Sequence, residues 1–367
     1  MEMEKNVQDM IYLVSCAVNQ QIPEKALVES MHLDAVYDVA KTHMLAVSVA
    51  IALESAGYKD NRSSGIIGAA LRKTVTYENA MNRIRQALEE KHIWFTPLKG
   101  AVLKDYYPKA VMREFGDYDI LFDASREADV NAILEEQGFF KKSSGSHYHT
   151  VYCKRPFLIF EMHKALFSNL HEEKIYRYYQ TVEQRLIGNG YEKKFTCEDM
   201  YLYLIAHEYK HYFSYGTGLR SMLDTYLYLH SQKPEMAYVA AEAEKLGIAA
   251  FEKKNRALSF HLFGNGELTA EDRDMLGYVL SSGTFGTRKH NVENQLREKN
   301  WSKLHYALDR FVVPFTTKNS KYASFAAKYP FFYQHRILLP VLPFVRVWDA
   351  MKKGTLKSEL KAIKNAK

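Results

Sequence analysis

The sequence predicts an α+β protein in which a small mixed β-sheet lies between two helical units. Three observations indicate this fold class: apolar residues recur at helical spacing through residues 1–90, short β-type runs occupy about residues 91–165, and helical spacing returns from about residue 168. We therefore divide the chain into a helical N-terminal unit (1–90), an α/β core (91–190) and a helical C-terminal unit with a basic strap rich in proline and aromatic residues (191–367).

The N-terminal unit has the apolar spacing of packed helices. Apolar residues recur at intervals of three and four around residues 10–18 and 44–51. Breaks are expected near Pro23, near Gly57 and at the polar cluster 61–65. No group of residues in this unit suggests chemistry, so we expect it to be a scaffold.

The core begins with the most informative stretch of the chain. Residues 93–95 predict a short strand, and residues 101–107 predict a helix that ends at Pro108, because proline lacks the backbone N–H. Residues 117–122 predict a second strand. Side chains alternate along a strand, so Asp117 and Asp119 are expected on one face.

Two further strands follow a predicted helix over residues 124–137. Residues 147–154 and 157–163 predict a hairpin around Arg155-Pro156. In the second of these strands, Ile159, Glu161 and His163 share a face. Glu161 has apolar neighbours, and a carboxylate in that setting needs a partner.

Asp117, Asp119 and Glu161 together have the chemistry of a metal site. Neighbouring carboxylates repel each other, and a hard cation with oxygen ligands relieves that repulsion. The turn at Lys99-Gly100 precedes a predicted helix, where backbone N–H groups can approach phosphate oxygens. This layout predicts phosphoryl chemistry assisted by Mg²⁺ or Mn²⁺.

These residues resemble a known family, the uncharacterised bacterial nucleotidyltransferases of the DNA polymerase β-like superfamily. The motifs that carry the resemblance are Leu98-Lys99-Gly100, Tyr107-Pro108, Arg113, Asp117-Tyr118-Asp119 and Glu161-Met162-His163. The resemblance covers most of the chain beyond residue 90, including segments 207–211, 219–224 and 338–346. It implies a mixed sheet with helices and transfer of NMP from an NTP such as ATP through two Mg²⁺ ions. Asp117 and Asp119 match the metal-binding pair, and Glu161 matches the third carboxylate.

The phosphate loop departs from the pattern of the wider superfamily. That loop is commonly Gly-Gly or Gly-Ser, whereas this chain has Lys99-Gly100-Ala101 and a longer gap to the acids. We expect Lys99, Gly100 and Arg113 to contact the nucleotide, because the two cations suit a triphosphate. We expect His163 to face the same cleft as Glu161 and to lie near the substrate.

The C-terminal unit carries the main rival interpretation. His207-Glu208-Tyr209-Lys210-His211 matches the HExxH pattern, in which two histidines on one helix face ligate zinc for peptide hydrolysis. No histidine lies six residues after His211, where Thr217 is found. A structural role, contact with nucleotide or acceptor, and zinc binding therefore all stay open for His207 and His211. Besides a nucleotidyltransferase and a zinc peptidase, the third class of protein that stays open is a catalytically silent nucleotide-binding protein.

Two other features of this unit lead to expectations. Residues 196–199 predict a capping box that opens a helix through Tyr212. On the next helix, Arg220 and Asp224 are spaced to form a bracing ion pair.

Charge and composition limit the class of protein. Of the 367 residues 47% are hydrophobic, no apolar run reaches the roughly 18 residues of a membrane span, and no secretory signal is visible, so we expect a cytoplasmic protein. Three cysteines argue against a disulfide framework.

The net charge of +7 is unevenly distributed. Residues 284–367 contain 17 Lys and Arg against 5 Asp and Glu, which gives +12 there and −5 in the rest. This basic third would fit an anionic partner. No nucleic-acid motif accompanies it, so nucleic acid is an unsupported alternative, and peripheral membrane contact by residues 322–353 is another. The acceptor and the oligomeric state are not predicted.

Overall fold

A computed structural model describes residues 3–58, 60–143, 148–168, 173–312, 325, 326 and 328–366. Its centre is a five-stranded mixed sheet with the strand order β1-β2-β5-β4-β3. The strands are β1 (Phe95–Pro97), β2 (Tyr118–Phe122), β3 (Phe140–Ser143), β4 (His149–Lys154) and β5 (Leu158–His163). A separate two-stranded ribbon consists of β6 (Leu186–Ile187) and β7 (Lys194–Phe195). Helices surround the sheet, which confirms the predicted α+β fold class.

Helices occupy most of the remaining described chain. In chain order they are α1 (Lys5–Val18), α2 (Lys25–Glu29), α3 (Leu33–Thr42), α4 (Ala46–Ser55), α5 (Asn61–Glu90), α6 (Gly100–Leu103), α7 (Glu127–Glu136), α8 (Glu173–Tyr178), α9 (Cys197–Ser214), α10 (Leu219–Gln232), α11 (Met236–Leu246), α12 (Ala249–Phe263), α13 (Ala270–Ser282), α14 (Arg288–Glu298), α15 (Lys303–Val312), α16 (Pro330–Gln334), α17 (Leu342–Lys352) and α18 (Thr355–Asn365). None of the described helices is both long and apolar enough to cross a bilayer.

The hairpin and the strand that carries Asp119 form as predicted. Strand β5 pairs antiparallel with β4 and parallel with β2. Asp117, however, precedes β2, because the pairing with β5 begins at Tyr118, opposite Phe160. The sequence prediction that Asp117 lies within the strand was therefore wrong.

The first predicted strand is displaced toward the C-terminus. Residues 91–93 close helix α5 instead: His92 has a φ of +55°, and the Ile93 N–H donates to the Leu88 carbonyl. Strand β1 then begins at Phe95. The predicted helix over residues 101–107 is a short α6 followed by a 3-10 turn at residues 104–106.

The N-terminal breaks near Pro23 and Gly57 are confirmed, but the cluster 61–65 is the first turn of α5. The Asp60 side chain accepts a hydrogen bond from the Ser63 N–H, so this polar cluster opens a helix. The N-cap half of the capping box predicted for α9 is confirmed, since the Thr196 side chain accepts from the Asp199 N–H.

Two hydrophobic clusters hold the sheet in place. In the first, α5 and α7 cover one sheet face with side chains such as Tyr77, Ile84 and Ile133. The second is continuous from the N-terminal helices α1, α3 and α4 to the C-terminal helices α9, α10 and α12, and it includes Leu121 of β2. Side chains from both helical units share this second core, so the packing does not separate the units at residues 90 and 190. These boundaries remain predictions.

Candidate functional site

A cleft of about 350 Å³ lies between the sheet and helices α9 and α10. It is lined by carboxylates and histidines from the sheet and by cations from the turn before α6 and from the two helices. The charged and ionisable side chains that line it include Lys99, Arg113, Asp117, Asp119, His149, Glu161, His163, His207, Glu208, Lys210, His211, Arg220 and Asp224. The structure therefore brings all the residues predicted for the site to one cleft.

The register of β2 and β5 brings two carboxylates together. The strands run parallel, with Asp119 opposite Glu161 and Leu121 opposite His163. Ligand atoms of Asp119, Glu161 and His163 all lie within 4.8 Å of one another. Because neighbouring strands hold side chains of the same face side by side, the sheet itself builds this group.

Asp119 is the most buried of the three predicted carboxylates. Its Oδ1 lies 2.7 Å from Lys99 Nζ and 2.9 Å from His163 Nε2. Burial disfavours the charged carboxylate, but the attraction of Lys99 and the hydrogen bond with His163 outweigh burial and hold the pKa of Asp119 below its usual range. Asp119 is thus ionised at neutral pH.

Asp117 has a different environment from Asp119. Within the described chain its carboxylate makes no hydrogen bond or ion pair, although Asp119 and Glu161 are close enough to repel it. Burial, followed by the charge of Asp119, raises the pKa of Asp117 to about 6. A carboxylate crowded by others in this way is what a divalent cation stabilises.

Glu161 faces two histidines. Its Oε2 lies 3.6 Å from His163 Nε2 and 3.8 Å from His149 Nε2. Burial opposes its charge, but the hydrogen bond with His163 contributes to a net lowering of the pKa of Glu161. Sequence reasoning missed His149, which pairs with His163 across the β4–β5 hairpin. The alternation of side chains along β4, which places His149 beside His163 in the hairpin, was the signal that could have identified this residue.

Lys99 reaches Asp119 from an unusual backbone conformation. Its φ is +39°, in the left-handed region that residues other than glycine rarely adopt. Backbone strain of this kind persists where the surrounding structure imposes it, and it is frequent at functional sites. The next residue, Gly100, is closely covered, since a Cβ there would lie 3.2 Å from Arg113 Nη1.

Arg113 is held by a carboxylate of α10. Its Nε and Nη2 donate to Asp224 Oδ1 and Oδ2 at 2.7 and 2.8 Å, and the Tyr107 hydroxyl donates to Oδ1 at 2.7 Å. The prediction of an ion pair between Arg220 and Asp224 was wrong, because Arg113 occupies both oxygens of the Asp224 carboxylate. Arg220 Nη1 instead donates to the Glu114 carbonyl at 2.7 Å.

Lys210 and Arg220 are cleft cations that sequence reasoning missed. Lys210 forms no ion pair within the described chain, and its Nζ lies 5.9 Å from the ring of Tyr148. Burial, followed by repulsion from Lys99, lowers the pKa of Lys210 to about 7. Burial is also the main cause that lowers the pKa of Arg220 to about 10. The spacing of Lys210 three residues after His207 was the available signal, because it places both on one helix face.

The HExxH segment lies on α9 and faces this cleft. His207 Nε2 and His211 Nε2 are 3.1 Å apart. A catalytic zinc site takes three protein ligands, and among the described residues no third histidine, cysteine or carboxylate joins this pair. Glu208 is buried, and none of the residues that the structure describes forms a hydrogen bond with its Oε1. Burial raises the pKa of Glu208 to about 7. The described residues therefore lack part of a zinc peptidase site.

Residues 29–264 match the model of a family described as uncharacterised nucleotidyltransferase. The chain belongs to this family. As a nucleotidyltransferase it is a transferase of phosphorus-containing groups, as the sequence predicted. The match contains the carboxylates and helices α9 and α10, but it ends before segment 338–346, which the sequence resemblance had included. Searches of curated proteins and of solved structures returned no match.

Proposed function

We propose that the cleft transfers NMP from an NTP, such as ATP, to a hydroxyl or phosphate acceptor in a reaction that requires Mg²⁺ or Mn²⁺. One observation carries the proposal: the carboxylates of Asp117, Asp119 and Glu161 line a single cleft together with several cations. Carboxylates suit the metal ions of nucleotidyl transfer, and nearby cations suit the triphosphate.

The donor set fits a hard divalent cation. Asp119 and Glu161 belong to one group of close ligand atoms, and Asp117 lines the same cleft. Burial and then repulsion from Asp119 raise the pKa of Asp117, and a cation would remove that repulsion. These three residues would hold the ion. When bound, the ion would supply positive charge beside the phosphate oxygens. The hydrogen bond from His163 fixes the orientation of the Asp119 carboxylate.

Lys99, Lys210 and Arg220 are the side chains we propose for the triphosphate. Lys210 is the best suited, because it is a half-buried cation without a carboxylate partner within the described chain. Gly100 leaves the turn without a side chain beside Lys99. Arg113 supports this wall through Asp224, and its Nη1 also borders the turn at Gly100.

The proposed reaction is a displacement at the α-phosphorus. An acceptor oxygen forms a bond to that phosphorus, the bond to the oxygen that bridges the α- and β-phosphates breaks, and pyrophosphate leaves. We assign Glu161 to accept the proton when the acceptor is a hydroxyl, because this carboxylate is ionised and faces the cleft. Positioning and charge neutralisation carry most of such a reaction.

Phe285 is our proposed platform for the nucleobase. It borders the cleft, yet 80% of its surface is exposed. Its loop is fixed on both sides, because the Thr284 N–H donates to the Thr42 carbonyl at 3.1 Å and the Thr287 N–H donates to the Tyr215 carbonyl at 2.7 Å. A rigidly presented aromatic ring can stack on any base.

The experiment is nucleotide binding and turnover with and without Mg²⁺ or Mn²⁺. We expect a fluorescent NTP analogue to bind the native protein only with metal, and Asp117→Asn/Asp119→Asn to abolish binding. The matched control is Asp105→Asn, which changes an exposed acid of the same region. Because NTPs are cytoplasmic, we propose that compartment for the reaction.

Each alternative outcome has a distinct meaning. Binding without pyrophosphate release from any acceptor mixture would favour a silent nucleotide-binding protein. Failure of every NTP to bind, together with stoichiometric zinc in protein purified without added metal, would overturn the proposal in favour of the site at His207 and His211.

A further inference from the structure

An exposed apolar stripe follows the C-terminal segment. We define the stripe as five residues at intervals of three and four: Ile337, Val341, Phe344, Trp348 and Met351. Their exposed fractions are 88%, 48%, 69%, 57% and 56%, respectively. The first two lie in the 3-10 turn at residues 336–341, and the last three lie on one face of α17. Large apolar side chains arranged in this way indicate an interaction surface.

The outward orientation of the stripe is fixed by the opposite face of α17. Leu342 is buried, and Arg346 Nη1 donates to the Arg310 carbonyl of α15 at 2.7 Å. The Tyr329 hydroxyl donates to Asp349 Oδ2 at 3.1 Å. These contacts hold the polar side of α17 against its neighbours, so rotation of the helix to bury the stripe would break them.

Positive charge accompanies the stripe. Residues 328–366 contain eight Lys and Arg against two Asp and Glu, a net charge of +6. Arg336, Lys352, Lys353 and Lys357 are exposed, and Lys352 Nζ lies 5.4 Å from the Trp348 ring. A second copy of the chain would bring two such positive regions together, which disfavours self-association through this surface.

A membrane surface with anionic lipids matches both the exposed apolar side chains of the stripe and its flanking positive charge. The interfacial region accepts aromatic and aliphatic side chains, and anionic headgroups attract the flanking lysines and arginines. Pro330, Pro340 and Pro343 interrupt the segment, and α17 has only 11 residues, so the segment suits a position along the surface.

We propose that the stripe and its flanking cations bind the protein peripherally to anionic phospholipid bilayers. This surface lies outside the family match, which ends at residue 264, and it is separate from the residues that line the cleft. The proposal concerns where the enzyme works and does not depend on the reaction in the cleft.

The test is co-sedimentation of the full chain with vesicles of phosphatidylcholine alone or with phosphatidylglycerol added. We expect binding to the anionic vesicles that weakens with salt, and at least about tenfold weaker binding for Phe344→Ser/Trp348→Ser. The matched control is Leu71→Ser/Val75→Ser, which removes two exposed apolar side chains from α5 at the same spacing. This control should bind like the native protein.

Three results would overturn the proposal. One is no binding of the native chain to anionic vesicles at low salt. Another is equal loss of binding in the stripe variant and in the α5 control. The third is a native oligomer that the stripe variant converts to a monomer without a change in vesicle binding, which would assign the stripe to self-association.

Discussion

The pH dependence of nucleotide binding tests the role of Lys210 directly. Burial and Lys99 lower the pKa of Lys210 to about 7, so at pH 9 its amine is mostly neutral in the free protein. A bound triphosphate would attract the proton and raise that pKa again. Nucleotide binding above pH 7 should therefore be accompanied by proton uptake, and affinity should fall as the pH rises.

The size of the effect follows from the two pKa values. If the bound triphosphate restores the pKa of Lys210 to its ordinary 10.5, affinity falls about 50-fold between pH 7 and pH 9. The nucleotide and the metal also change with pH, so the quantity to compare is the affinity of the native protein relative to that of Lys210→Arg. The arginine variant keeps its charge across this range.

The assay is calorimetry with an NTP and constant Mg²⁺ in two buffers of different ionisation enthalpy, which gives both the affinity and the protons taken up. We expect the affinity ratio to fall with pH and proton uptake to be absent in Lys210→Arg. A ratio that stays constant from pH 7 to pH 9 would refute the placement of the triphosphate beside Lys210.

A stability measurement on the same residue provides a second check. The pKa of Lys210 is lower in the folded state, so its charge destabilises the fold below pH 7, and this penalty disappears as the pH rises toward 10.5. We expect Lys210→Met to raise the free energy of unfolding at pH 6 by about 1 to 3 kcal/mol, and to raise it less at pH 9, while nucleotide binding weakens.

Three further predictions concern other parts of the site. Asp224→Ala should lower the free energy of unfolding by about 3 to 5 kcal/mol, because it leaves the buried Arg113 unpaired. Tyr77→Phe should cost about 1 to 3 kcal/mol and slow turnover, because the Tyr77 hydroxyl lies 3.1 Å from the Gly116 carbonyl, directly before Asp117. Phe285→Ala should raise the KM for the NTP about tenfold, whereas Phe285→Tyr should preserve it.

Controls make these three outcomes decisive. Glu271→Ala, which breaks the exposed pair with Lys254, should cost less than about 1 kcal/mol in the same denaturation assay. An equal cost for Asp224→Ala would show that Arg113 does not depend on its partner. Turnover of Tyr77→Phe at the native rate would remove its positioning role. Equal KM values for Phe285→Ala and the native enzyme would exclude base stacking there.

The strand patterns of the core allowed much of the site to be predicted from sequence. Alternation placed Glu161 and His163 on one face, and the structure brings both to Asp119. Asp117 was misplaced by one position because strand ends depend on where a neighbouring strand begins to pair, here at Tyr118.

The partners of the cations could not be predicted because they depend on tertiary contacts. Arg113 pairs with Asp224, which lies 111 residues later in the chain, whereas helical spacing favoured Arg220 for that carboxylate. The altered pKa of Lys210 depends likewise on its burial and on Lys99, which comes from a distant turn. Local spacing identifies which residues share a helix face but not which charge lies opposite them.

Pyrophosphate release from an NTP in the presence of Mg²⁺ and a mixture of small hydroxyl and phosphate compounds tests the central claim most directly. We predict metal-dependent release by the native protein and by Asp105→Asn, and loss of at least about a hundredfold in rate for Asp119→Asn and for Glu161→Gln. Release that persists at the native rate in both of these variants would contradict the assignment of the carboxylates as the metal-binding centre.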